Sequence, residues 1–220
     1  MQRITELELM NDAAQALAYA QADFDDPHNL FIQMFKEAFP GIEVSGHILD
    51  LGCGPADISI RFAHEFSECT IEGLDGAPRM LEHGKLAIHK AQLVDRIFLI
   101  QGVLPGANLP RDNYNVIISN SLLHHLHKPD VLWESIKQLG VPGSLVFIMD
   151  LMRPESERVA REYVDLYASG EPQVLREDFF HSLCAAFLPE EIQLQLDLAG
   201  LSHLNIEIIS DRHLIVFGTL

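Results

Sequence analysis

"HILDLGCGPADISIRFA" (residues 47–63) is an apolar run broken by two alternate glycines and then resumed. The first part reads as a buried strand and the last, with apolar residues at helical spacing, as a helix. A plain turn between them needs one glycine. The second, Gly54 two residues after Gly52, predicts that something approaches the backbone closely there. In open α/β sheets ligands collect at the carboxyl ends of strands where the strand order reverses, and the two glycines stand at such an end.

Working outward, further strand-like runs are "TIEGLD" (70–75), "IFLIQ" (97–101), "NVIISN" (115–120) and "SLVFIMD" (144–150). Between them lie the helix-like "PRMLEHGKLAIHKAQ" and "PDVLWESIKQLG", with Pro78 and Pro129 where a first turn begins. Strand and helix alternating in this way predict right-handed βαβ units and a parallel sheet. Residues 1–46 read as a helical N-terminal cap, with Asp26-Pro27 a helix start, and 47–150 as the ligand-binding core. Residues 151–187 interrupt the alternation with "PESERVAREYVDLYA" and "REDFFHSLCAAF" and are read as an insertion or lid. Residues 188–220 read as a helix stopped by Gly200 and a β-hairpin turning at Ser210-Asp211. All four segments fit one domain.

Composition narrows the function. Hydrophobic residues make up 48% of the 220, enough for a sizeable core. The formal net charge is -17, from 32 acidic against 15 basic side chains, with no compensating basic run. A partner tracked through its phosphates, nucleic acid or anionic membrane, is therefore not expected; a small-molecule substrate is. The three cysteines form no CxxC pair, which fits a reducing compartment rather than a disulfide framework or zinc site. The N-terminus lacks the apolar core of a signal peptide and no run suits a membrane span, so a cytoplasmic location is expected.

Asp75 ends the second strand 21 residues beyond Gly54, near the spacing at which an acid meets ribose hydroxyls. Glu72 belongs to mid-strand and is the poorer candidate. A dinucleotide would need a third glycine where Asp57 stands, and a carboxylate there repels a diphosphate. Asp50, at the end of the first strand, adds another negative charge. Together these acids suit an adenosine-containing cation without phosphates, S-adenosylmethionine. A nicotinamide-dependent oxidoreductase is the alternative that Asp57 and the closing hairpin disfavour, and a non-catalytic adenosyl-binding regulator is a second.

The segment 47–154 resembles the class I S-adenosylmethionine-dependent methyltransferases of the small-molecule type, among them those that methylate quinone precursors. "ILDLGCGPA" resembles the family's first motif and "GLDGAPRMLEHGK" its second. "YNVIISNSLLHHLHKPDVL" and "SLVFIMDLMRP" resemble its fourth- and fifth-strand regions. The resemblance implies a Rossmann-like, seven-stranded, mostly parallel α/β sheet with helices on both faces and a C-terminal antiparallel hairpin. It also implies S-adenosyl-L-methionine as cofactor and S-adenosyl-L-homocysteine as product. By it, Asp50, Gly52, Cys53 and Gly54 would hold the methionine portion and Asp75 the ribose. Gly76 and Met80 would neighbour ribose and adenine, Gly102 and Val103 the adenine, and Asn120 and Leu122 the transferred methyl. Val103 stands where many relatives carry an acid, so backbone at 102–103 is expected to serve instead. Ala56 replaces a third motif glycine, and Asn115 a common Asp.

For a general base, His124 and His125 of "LLHHLHKPD" are the candidates, with His127 facing solvent. No metal is expected, because adjacent histidines diverge and no nearby cysteine or acid completes a shell. The sequence after the fourth strand, "NSLLHH", lacks both the "NPPY" type expected for base amines and the paired glutamates of protein-arginine enzymes. That leaves O- or C-methylation of a small molecule. Tyr19, Phe24, His28 and Arg153 are candidate substrate contacts, although an ion pair with a neighbouring Glu accounts for Arg153 equally well. Tyr163, Tyr167, Phe179, Phe180 and His181 would shape the lid or pack beneath it, and Trp133 belongs to the core.

Overall fold

A computed structural model describes residues 1–6 and 9–220. Seven strands form one sheet in the order β3-β2-β1-β4-β5-β7-β6. They are β1 (Gly46–Leu51), β2 (Cys69–Asp75), β3 (Ile97–Gln101), β4 (Tyr114–Asn120), β5 (Gly140–Leu151), β6 (Asn205–Ile208) and β7 (His213–Thr219). The first five are parallel; β7 runs antiparallel to both β5 and β6. The sheet is the Rossmann-like one expected. The order reverses between β1 and β4, which puts the ligand crevice above the carboxyl ends of those two strands.

The central strands are apolar throughout because both faces are covered. Ile48, Val116, Ile118, Phe147 and Ile215 face one way, against α2 (Asp25–Ala38), α3 (Asp57–Glu65) and α4 (Pro78–Lys90). Their neighbours Leu49, Leu51, Ile117, Val146 and Val216 face the other way, against α5 (Asp130–Leu139) and α8 (Pro189–Ala199). Phe31, Phe35 and Phe62 pack edge to face with one another or with Phe147 on the first side. Trp133 anchors the second, its indole N–H donating to Gln195. Glu72 is a buried mid-strand residue whose carboxylate accepts from Arg111 Nε at 2.7 Å and from the Tyr114 hydroxyl.

The cap is helical only in part. Asp12 accepts from the N–H groups of Ala14 and Gln15 and so starts α1 (Ala13–Gln21) where it does. Before it, residues 1–6 and 9–12 form a non-helical strap. Its polar groups are satisfied across the fold instead: Ile4 N–H donates to Cys184 O, and Arg3 donates to Ala185, His124 and Leu126 carbonyls. The Arg3 guanidinium also lies 3.9 Å from the Phe187 ring centroid. Partners so far away in the chain leave no local sequence signal. The strand expected at 144–150 begins earlier, at Gly140, with an irregularity opposite Tyr114 and Val116. Residues 151–187 contribute α6 (Glu157–Tyr167) and α7 (Gln173–Ala185), which pack on one another.

Candidate active site

Above the switch point opens a cavity of about 1020 Å³, at the upper end of what ligand pockets span. Its floor is the β1–α3 turn. Gly52 and Gly54 both have positive φ (71° and 52°), but for different reasons. A Cβ on Gly52 would meet Leu122 at 2.9 Å, whereas one on Gly54 would meet nothing within 4 Å among the described residues. Gly52 is bare so that the β4 loop can close over it, and Gly54 leaves its face open.

The N–H groups of this turn are taken up within the fold. Gly52 and Cys53 N–H donate to Leu74 O at 2.8 and 3.1 Å, Ala56 N–H to Cys53 O at 2.9 Å, and Gly54 N–H to Asp75 Oδ2 at 2.8 Å. The other Asp75 oxygen accepts from Ala77 N–H at 2.7 Å. One carboxylate thus clamps the glycine turn to the start of α4 and retains lone pairs on the cavity side. Burial raises the Asp75 pKa, and the two N–H bonds oppose that rise.

Of the residues that the resemblance assigns to the cofactor, Gly52, Gly54, Asp75, Gly76, Met80, Gly102, Val103, Asn120 and Leu122 line the cavity. Asp50 and Cys53 do not; both are buried beneath the turn. The Asp50 side chain points under it, taking a 2.6 Å bond from the Ser59 hydroxyl. Burial pushes its pKa up to about 7, the Ser59 bond opposes this, and Asp75 adds to it. Cys53 Sγ fills the space over Gly73, where a Cβ would come within 2.9 Å of it. Burial there pushes the thiol pKa well up.

Tyr19, Phe24 and His28 form one aromatic wall, with ring centroids 4.7 and 5.3 Å apart in sequence. His28 Nδ1 pairs with Asp57 Oδ2 at 2.6 Å and fixes α2 to the start of α3. Burial would raise the Asp57 pKa, but bonds from His28 and Arg61 hold it below its usual value. Tyr19 is pushed up to about 12 by burial and by the charges of Asp57 and Asp75. Of the insertion, Tyr167, Asp178, Phe179 and Ser182 reach the cavity; Tyr163, Phe180 and His181 do not. Arg153 also lies off the cavity. Its guanidinium is buried, donating to Ala186 O at 3.0 Å and to Glu191 at 2.7 Å, so the ion pair accounts for it.

Opposite the glycine turn, a 3₁₀ turn (Leu123–His125) follows β4. Asp150 holds it: Oδ2 accepts from Leu123 N–H at 2.8 Å and Oδ1 meets His124 Nδ1 at 2.5 Å. Burial alone would lower the His124 pKa, but Asp150 and Glu6 raise it; Asp150 is lowered by the same pairing against its own burial. The two neighbouring histidines do not diverge. Their rings lie 4.3 Å apart at 34°, and both line the cavity. An acid is present as well: Glu6, from the strap, stands 3.2 Å from His125 Nδ1 and 3.6 Å from His124 Nε2. Burial raises the Glu6 pKa, and His124 opposes that rise. His127 is exposed, as expected, and its Nε2 contacts Glu6 O at 2.7 Å. Glu6 and Asp150 were not singled out in sequence. Asp150 is the last residue but one of β5, the strand beside the sheet's centre, a signal that was available; Glu6 left none.

Residues 48–143 match the family described as a methyltransferase domain. The ubiquinone/menaquinone biosynthesis C-methyltransferase UbiE of Pseudoalteromonas translucida is 26% identical over 133 residues, covering 60% of this chain and 52% of its own length. The trans-aconitate 2-methyltransferase of Delftia acidovorans is 25% identical over 122 residues, 54% of this chain and 44% of its own. The chain thus spans about half the length of the curated relatives it matches. A solved S-adenosylmethionine-dependent methyltransferase from Aquifex aeolicus superposes with a TM-score of 0.66 at 16% identity, over 94% of this chain and 97% of that one. At that identity the likeness is one of fold.

Proposed function

We propose, for a chain that belongs to the class I S-adenosylmethionine-dependent methyltransferases, that it transfers a methyl group from that cofactor to an oxygen or carbon of a small molecule. The observation that carries this is the turn of residues 52–56, whose N–H groups at 52, 53, 54 and 56 are already bonded, set between the carboxylates Asp50 and Asp75. A diphosphate asks for free N–H donors and positive charge; this cradle has neither and suits a cationic nucleoside. The same point weighs against a nicotinamide dinucleotide.

When bound, S-adenosylmethionine supplies a methyl group on a sulfonium leaving group. The chain's residues would do the rest. Asp75 accepts the ribose hydroxyls with the lone pairs its backbone clamp leaves, and Gly76, Met80, Gly102 and Val103 enclose the nucleoside. Asp50 would lend negative charge beneath the methionine portion, and Asn120 and Leu122 would flank the methyl. Alignment and exclusion of water supply most of the acceleration, on the order of 7–11 kcal/mol in favourable intramolecular cases. Tyr19, Phe24 and His28 border the acceptor space, and His125 is placed to take a proton from an acceptor that must lose one. A walled cavity and a net charge of -17 favour a small acceptor over a nucleic acid. No helix among the described residues is long and apolar enough to cross a membrane.

Calorimetric titration with S-adenosylhomocysteine tests the reading. A charge-assisted hydrogen bond contributes about 1.5–3 kcal/mol, so Asp75→Ala should weaken binding about 10- to 100-fold. Absence of heat with the wild-type protein, or equal affinity in Asp75→Ala, overturns it. Tight cofactor binding with no S-adenosylhomocysteine released across a broad panel of hydroxyl and enol acceptors would favour the regulator.

A further inference from the structure

We propose that Glu6, His124 and His125 form a binding site for one divalent first-row transition-metal ion at the acceptor end of the cavity. Their ligand atoms, one each, all lie within 4.8 Å of one another, the one such group among the described residues. Two of the separations are 3.2 and 3.6 Å. With metal–nitrogen and metal–oxygen bonds of about 2.0–2.2 Å, neighbouring ligands of a single ion stand roughly 3–3.6 Å apart, so no large movement is required.

Three further observations support the site. His124 Nδ1 is held by Asp150 at 2.5 Å, which leaves Nε2 as the ligand atom; a carboxylate behind the imidazole is the usual outer support of a metal-bound histidine. Glu6 Oε1 is buried and has no hydrogen-bond partner among the described residues, although two imidazole nitrogens are close, and a cation between them would satisfy it. Arg3 binds the carbonyls of His124 and Leu126 at 2.8 and 3.0 Å and so fastens the strap bearing Glu6 to the turn bearing the histidines.

Two imidazoles and one carboxylate suit Fe²⁺, Co²⁺, Ni²⁺ or Zn²⁺ and leave coordination positions open. His124 and His125 line the cavity, so those positions face the acceptor. The ligand class they take is an acceptor oxygen, hydroxyl or carboxylate. A coordinated hydroxyl gives its proton to solvent more readily and presents an oxyanion to the methyl group. The histidines then serve as ligands, not as proton acceptors. This last role rests on the methyltransferase reading; metal binding itself does not.

The test is titration of the chelator-stripped full chain with Co²⁺, read by its visible d–d absorption, beside calorimetry with S-adenosylhomocysteine. One equivalent should bind to the wild-type protein. Glu6→Gln and His125→Ala should each lose at least about tenfold in affinity, and Asp150→Asn, which only positions His124, about 10- to 100-fold. Melting curves establish that each variant is folded, and Glu6→Gln keeps its shape on a non-helical strap. No Co²⁺ spectrum, or one unchanged in both Glu6→Gln and His125→Ala, overturns the site and assigns any bound metal to surface histidines. Metal binding without nucleoside binding would instead sink the methyltransferase reading, and nucleoside binding without metal binding would sink the metal site alone.

Discussion

The two ends of the cavity are built differently. At the end proposed to hold the nucleoside, Gly52, Gly54, Asp75 and Gly76 belong to two adjacent strands and the turns that follow them, and Asp75 bonds a residue 21 positions away and another two away. At the acceptor end, Glu6 meets His124 across 118 positions and Arg3 reaches Ala185 across 182. The first end is short-range chemistry at the carboxyl ends of two interior strands. The second is assembled by tertiary contact among a strap, a 3₁₀ turn and an insertion helix. A fold assembled this way can keep one cofactor while varying the acceptor, because changes at the second end need not disturb the first.

The most severe way to break that independence is at Asp150. Its carboxylate is buried against a buried imidazole and carries the backbone of the 3₁₀ turn. Removing one partner of such a pair typically costs about 3–5 kcal/mol. Asp150→Ala should therefore lower stability by that order in urea unfolding, while S-adenosylhomocysteine affinity of the folded protein stays within about threefold, under 1 kcal/mol. A parallel collapse of nucleoside binding would mean that the two ends are one cooperative unit.

A pair of alanines sharpens the comparison within the nucleoside end. Both glycines have a left-handed φ, which costs a residue with Cβ about 1–2 kcal/mol. Gly52→Ala adds a clash with Leu122 at 2.9 Å and should lose about 2–3 kcal/mol of stability. Gly54→Ala meets open space, so its stability loss should be the smaller. Its methyl would enter the cavity floor, and its effect should fall mainly on nucleoside affinity. Denaturation and calorimetry on both variants separate the two; equal effects in both assays would show that Gly54 is bare for no ligand's sake.

This division also explains what was legible beforehand. Strand and helix periodicity placed all seven strands, and β3 at Ile97–Gln101 coincides with the run that marked it. The glycine turn and Asp75 were readable because their spacing is fixed by one βαβ unit. Asp50 shows where that reading stops: period two in a strand says that alternate side chains differ in direction, but not that one passes beneath the next turn, and Cys53, past the strand's end at Leu51, has no periodicity to place it. Glu6 and Arg3 were illegible for another reason. Their partners lie more than a hundred positions on, and the strap has no periodicity of its own. Arg153 was ambiguous in sequence because a salt bridge and a ligand contact ask for the same residue type; its buried guanidinium, paired with the partly exposed Glu191, decides it.

The strap offers a milder test. Arg3→Ala removes donors from three carbonyls, at Ala185, His124 and Leu126. At about 1 kcal/mol per net bond, and with water replacing part of the loss, stability should fall about 1–2 kcal/mol. The diagnostic is a raised KM for the acceptor, with the cofactor constant unmoved. An unchanged KM would show that the strap covers the site without shaping it.

The smallest effect concerns Asp50. Burial, with Asp75 nearby and the Ser59 hydroxyl opposing, puts its pKa at about 7 against an ordinary 3.8. A carboxyl whose folded pKa is raised holds its proton more tightly in the folded state. Its stabilising contribution is therefore complete below about pH 4 and is lost as pH climbs through about 7. Binding of a cation runs the opposite way, since only the ionised carboxylate attracts it. Between pH 6 and 8 the ionised fraction rises from about one tenth to about nine tenths, so affinity for S-adenosylmethionine should rise by at most about tenfold. Asp50→Asn should flatten that profile, and calorimetry across the interval reads it. A slope that survives the substitution assigns the titration elsewhere and leaves Asp50 as a structural partner of Ser59, buried under the turn at the end of the cavity that sequence made most legible.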